Sequence, residues 1–249
     1  MPIPWHHHCS AFIQMARGAR LVFILAAALI PTPERTAAQG ETTAPSLATV
    51  RVVSDAGEMH GTAVMVRRED TQSGVKLYFL TSARLFRGPD GNYQRISKSV
   101  TLRIDRTHEL DLNCNDVFAD GSGLVDVAIL RVTTTDVPAL HSTPLVYDPP
   151  RAGTAFWLSG IDRAGAATTV SEHVRFASTL LMVGERDTSP LVDCLGAPAF
   201  TADGVFGIVR ECESHRSPVI SLLALARSFL ERHLPSAVGS ATASRTERR

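Results

Sequence analysis

The chain predicts an all-β fold closed by a single C-terminal helix, and three observations carry that expectation. Strand-length runs rich in Val, Ile, Thr or aromatic residues follow one another through most of the sequence. Gly-, Pro- and Asp-containing turn signals separate them. No apolar pattern of helical period appears until the end. Many short strands punctuated in this way pack as a sandwich or a barrel.

Taken from the N-terminus, the first feature is a targeting signal. Arg17 and Arg20 precede the apolar run LVFILAAALI (21–30), which is short for a bilayer span and has the length of a signal-peptide core. Thr36 and Ala38 suit cleavage just before Gln39, so residues 1–38 are assigned to a signal peptide. Met15 is the alternative start, because MARGAR makes a compact basic n-region. The same run also reads as an uncleaved anchor. His6, His7, His8 and Cys9 lie upstream of it and leave with it, so they make no metal site in the mature chain. A polar Thr/Ala-rich leader (39–45) then precedes the folded domain, 46–235.

Within that domain the strand-length runs are ATVRVVSD, GTAVMVRR, KLYFLTSA, KSVTLRID, VDVAILRV, GTAFWLSG, TTVSEHVRF, GVFGIVRE and SPVISL. PDGN at Pro89, DPP at Asp148 and ADG at Asp203 are the clearest turns between them. SLLALARSFLERHL breaks the pattern: Leu222, Leu225, Ala226, Phe229 and Leu230 share one helical face, Ser221 is placed to cap it and Pro235 to stop it. The tail, 236–249, is small and polar and reads as solvated. No repeat of solenoid length is present.

Lys+Arg and Asp+Glu both number 25, so no overall field favours nucleic acid, or a membrane surface once the signal is removed. Of the four cysteines, Cys114, Cys194 and Cys212 fall in the mature chain. An exported protein meets an oxidising compartment in which one pair can close, and a buried free thiol is the alternative for each. No pair has the repeated spacing of a structural zinc site, and no metal or cofactor is expected. A P-loop, a Rossmann glycine pattern and H-E-x-x-H are all absent from the sequence.

Three segments, in order, carry a resemblance. GTAVMV (61–66) with LYFLTSAR, then VDVAILRV around Asp126, then DCLGAPAFTADGVFGIV from Asp193 together resemble a trypsin-like serine peptidase. The resemblance spans residues 46–234 and implies a two-barrel β fold with a C-terminal helix. It also implies where the catalytic groups belong. Histidine would stand at Arg84, since the family's wording there is close to L-T-A-A-H. The orienting aspartate is Asp126. The family's G-D-S-G-G-P falls on Asp193, Cys194, Leu195, Gly196, Ala197 and Pro198, which puts the nucleophile position at Leu195 and an oxyanion-hole donor at Asp193. The same likeness favours Cys194–Cys212 as the disulfide.

Read this way, the triad positions Arg84, Asp126 and Leu195 are degenerate. A leucine has no nucleophilic atom, and a guanidinium stays protonated and cannot act as a general base. A carboxylate at Asp193 opposes a developing oxyanion. The expectation is therefore an exported pseudoprotease, periplasmic or secreted, that binds a protein or peptide ligand. The rival from another class is a cysteine-dependent hydrolase using Cys194. Against it, His60, His108, His141, His173 and His215 all lie away from the base position. Arg84 and Asp126 are expected to pair, a guanidinium fork meeting the carboxylate with two parallel hydrogen bonds.

Overall fold

A computed structural model describes residues 44–54, 57–87, 99–105, 107–119, 125–136, 139–161, 166–178, 181–184, 191, 194–211 and 217–235. The signal-peptide assignment, the leader up to residue 43, the PDGN turn and the tail lie outside them. Seven strands make the first sheet: β1 (Leu47–Ser54), β2 (Gly57–Thr71), β3 (Gly74–Thr81), β4 (Ser99–Arg103), β5 (Glu109–Leu112), β6 (Val117–Ala119) and β7 (Ala128–Thr134). Their order is β5-β4-β1-β2-β3-β7-β6, and every pairing is antiparallel. The sheet rolls into a barrel-like wall, with β5 returning against β7.

Six more strands close a second barrel: β8 (Ala155–Ile161), β9 (Ala167–Ala177), β10 (Leu181–Gly184), β11 (Pro198–Thr201), β12 (Gly204–Glu211) and β13 (Val219–Leu222). They run in the order β10-β13-β12-β11-β8-β9, and β9 pairs back onto β10. Helix α1 (Leu223–His233) follows directly. The all-β, two-barrel fold with a C-terminal helix is thus the architecture observed.

Each barrel has its own core, and a third core lies between them. The first is built from Val50, Met65, Leu77, Phe79, Leu102 and Leu130, among others. The second holds Phe156, Leu158, Met182, Phe206, Val209 and Ile220. Between them, Val64, Val66, Tyr78 and Leu80 of the first barrel meet Phe200, Val205 and Ile208 of the second beneath α1. This layering explains why GTAVMV is buried at every position rather than alternating. Successive residues of a strand face opposite sides, so β2 sends Ala63 and Met65 into its own barrel and Val64 and Val66 into the shared core.

The chain crosses between barrels through residues 139–148, which are pinned at both ends. The backbone N–H of Thr143 donates to Met65 O at 3.0 Å, and that of His141 to Ser46 Oγ at 2.9 Å. On the other side, Val146 N–H donates to Val205 O at 2.8 Å and Val205 N–H to Pro144 O at 2.9 Å, around a parallel bridge between Leu145 and Val205.

Two local expectations are corrected at the helix. Its N-terminal boundary residue is Leu222, with no side-chain cap, whereas Ser221 belongs to β13 and its hydroxyl is buried without a hydrogen-bond partner among the described residues. Helix and strand abut with no loop in which a serine could turn back on the helix. The buried face is Leu223, Ala226 and Leu230, while Leu225 is 37% exposed. Leu234 and Pro235 end the helix as expected. His233 stacks between Phe118 and Phe229, at 4.9 Å from each ring, and so ties α1 to the first barrel.

Candidate functional site

The site begins with the end of β3. Thr81 and Ser82 are fully buried, and Ser82 is the boundary residue of a short 3-10 turn, Ala83–Phe86, accepting from the Arg84 N–H through its hydroxyl at 3.2 Å. A serine in extended conformation before a helical turn satisfies a donor that the turn leaves open. The same hydroxyl donates to Asp126 Oδ2 at 2.7 Å. Asp126, just ahead of β7, is completely buried, and its Oδ1 meets no donor among the described residues. Burial pushes its carboxyl above the usual carboxylate range; the Ser82 hydrogen bond, and then the charges of Arg87, Arg210 and Arg84, act in the opposite direction.

Arg84 and Asp126 are brought together, but not as a fork. Arg84 Nε lies 3.9 Å from Asp126 Oδ2, and its Nη2 donates instead to Glu211 Oε1 at 2.8 Å. Ser82 has already taken the near oxygen, and the guanidinium turns outward to a carboxylate on the other barrel. Glu211 ends β12 and also lies 3.7 Å from Arg210 Nε. The result is a row of alternating charged side chains, Asp126, Arg84, Glu211, Arg210, each facing the next, that joins the first barrel to the second. Ser82, Arg210 and Glu211 escaped the sequence reading. A serine opening the 3-10 turn was a legible signal for the first; for the arginine and glutamate only a charged pair at a strand end was available.

Leu195 stands in the turn Leu195–Gly196 that leads into β11, with its side chain against the core of the first barrel. Its carbonyl accepts from Thr62 N–H at 2.8 Å. Gly196 has φ +85°, and a Cβ there would run into Thr62 O and Thr81 Oγ1 and sit 3.0 Å from Ser82 N. The Gly196 N–H donates to Val209 O at 2.8 Å, holding the turn against β12. This turn therefore abuts the Ser82 segment, and the segments carrying Arg84, Asp126 and Leu195 converge on one place between the barrels. Asp193 lies outside the described residues.

Cys194 is 1% exposed and its sulfur is disulfide-bonded, so it presents no thiolate. Cys212 lies outside the described residues, as does the side chain of Cys114. His60 pairs with Glu58 at 2.9 Å, and His108 with Asp105 at 2.7 Å, on exposed surface. No histidine hydrogen-bonds Asp126 among the described residues. Among them, too, no three His, Cys, Asp or Glu side chains gather in a way that could hold a metal ion, and no helix is long and apolar enough to cross a membrane.

No protein-family model matches this chain, and no curated protein matches its sequence. Solved structures do match. A serine endoprotease from Yersinia pestis aligns with TM-score 0.54 at 17% identity over 76% of this chain, and the chain spans 62% of that protein. The inactive form of a Mycobacterium tuberculosis protein carrying a serine-to-alanine substitution aligns with TM-score 0.53 at 19% identity, covering 77% of this chain and 89% of that one. A scabies mite inactivated protease paralogue gives TM-score 0.51 at 14% identity, covering 77% and 96%. At these identities the likeness establishes the fold, which is trypsin-like.

Proposed function

We propose that this trypsin-fold chain is an exported pseudoprotease, periplasmic or secreted, that has lost peptide hydrolysis and uses the scaffold to bind a protein or peptide. The observation that carries the reading is the environment of Asp126. The carboxylate that would orient a catalytic histidine is met by Ser82 and, further off, by Arg84. An arginine cannot accept the proton that acyl transfer requires, and Leu195, packed into the first barrel's core, has no atom that can attack a carbonyl. Fold alone assigns no function. A scaffold with its chemistry removed still offers strand edges, those of the first sheet, to which an extended peptide can add. The inactivated mite paralogue supports the idea that this fold is used without catalysis.

The test is direct. Purified mature protein should not cleave casein and should not label with a serine-directed fluorophosphonate, and Leu195→Ser alone should not change either result, because Arg84 still supplies no base. Turnover by Leu195→Ser would overturn the reading. For export, intact mass of envelope material should give a chain starting at or near Gln39, and a non-reducing digest should link the Cys194 peptide to that of Cys212. Full-length protein in the cytosol, or Cys194 joined to Cys114, would remove the respective claim.

A further inference from the structure

The row of charges has one fixed end and one replaceable link. Asp126 is fully buried and tied to Ser82, so it cannot follow a ligand outward. Glu211, by contrast, has a side chain 42% exposed and Arg84 one 36% exposed, and their half-buried 2.8 Å contact joins the two barrels. A half-exposed ion pair of this kind is only weakly favourable, since water still screens it and two long side chains lose freedom to make it. Arg84 also keeps an anchor when Glu211 leaves, because Asp126 still holds its Nε side at 3.9 Å. The Nε of Arg210, 3.7 Å from the same Glu211 oxygen, is buried and has no hydrogen-bond acceptor among the described residues. Two guanidiniums therefore flank a single carboxylate that arrives from the protein's own strand end.

We propose that Glu211 holds the place of a ligand carboxylate, and that the partner is a peptide whose Asp or Glu side chain, or C-terminal carboxylate, displaces Glu211 from Arg84. The proposal rests on the peptide-binding reading above and specifies the chemistry of the peptide. Exchange replaces one exposed carboxylate on Arg84 by another, so little is lost in making it. Glu211 competes intramolecularly, so the binding-competent state is only a fraction of the population and the apparent affinity is reduced by that fraction. Neutralising Glu211 should then strengthen binding, whereas neutralising Arg84 should weaken it. A purely structural ion pair would not give opposite signs.

The measurement is fluorescence anisotropy of the mature protein against three dye-labelled octapeptide pools: amidated with a central Glu, amidated with a central Gln, and central Gln with a free C-terminal carboxylate. At least one carboxylate pool should bind about 5-fold or more tighter than the amidated Gln pool, and the two carboxylate pools tell side chain from C-terminus. Glu211→Gln should widen that ratio and Arg84→Gln should erase it, both with unchanged melting temperature within a few degrees. Equal binding of all three pools would overturn the carboxylate inference and leave peptide binding standing. Binding by none would overturn both. Glu211→Gln weakening binding alongside Arg84→Gln would make Glu211 structural and overturn the exchange.

Discussion

Gly196→Ala should destabilise the fold by about 2–5 kcal/mol. The residue sits at φ +85°, where a Cβ is strained in any surroundings, and here that Cβ would also drive into the Thr62 carbonyl and the Thr81 hydroxyl. Those two atoms cannot step aside cheaply, because Thr81 Oγ1 donates to Thr62 O at 2.7 Å and both residues are fully buried. Left-handed backbone costs a non-glycine residue roughly 1–2 kcal/mol and overpacking a tight interior a further ~1–3 kcal/mol. The sum, about 2–5 kcal/mol, is a large share of a domain's whole stability of ~5–15 kcal/mol. Urea unfolding of the variant, or its recovery only in inclusion bodies, reads the effect. A melting temperature equal to wild type would mean that the turn does not lie between the barrels as described.

Ser82→Ala is the second large effect, expected at about 2–4 kcal/mol. The hydroxyl makes a hydrogen bond to a buried carboxylate, of a kind worth ~1.5–3 kcal/mol, and also accepts from the Arg84 N–H at the start of the 3-10 turn, a contact worth ~1 kcal/mol. The deficit should depend on pH, with a definite sign. The folded carboxyl of Asp126 is raised above its ordinary value of 3.8, so between 3.8 and the folded value the native state holds a proton that the unfolded chain has lost. Its contribution to stability is therefore present below 3.8 and is lost as pH rises through the folded value. Ser82 donates to the ionised form and limits that loss, so the Ser82→Ala deficit should grow as pH rises. Urea titrations across a pH series would show it, and a deficit independent of pH would separate Ser82 from Asp126. Arg84→Ala, which breaks a half-exposed pair, should cost only ~0–1 kcal/mol.

What the sequence made legible follows from range along the chain. The longer strands could be read because their β-branched and apolar content is local. β5, β6, β10 and β11 went unread because runs as short as ELDL, VFA, LMVG and PAFT carry no period of their own and are strands only by virtue of their neighbours. Helix α1 was found, but its face was misplaced by Leu225, an apolar residue left at the surface. The convergence of Arg84, Asp126 and the Leu195 turn followed from the resemblance. The hydrogen bonds that decide the chemistry there did not. Ser82 and Asp126 are 44 positions apart, and Arg84 and Glu211 are 127 apart. A local pattern can say that a guanidinium needs an acid; it cannot say which acid the fold delivers first.

The crossing between the barrels also bears on how a ligand would be met. Residues 139–148 are hydrogen-bonded to Met65 and Ser46 on one side and to Val205 on the other, with Leu145 and Tyr147 packed into the shared core. A connection sewn down on both margins has, among its described residues, no slack stretch of backbone about which the halves could swing. The two barrels then meet a guest as a preset pair rather than as a jaw. A guest that meets such a pair is selected by whether it already fits, and it loses none of its binding energy to closing the protein around it.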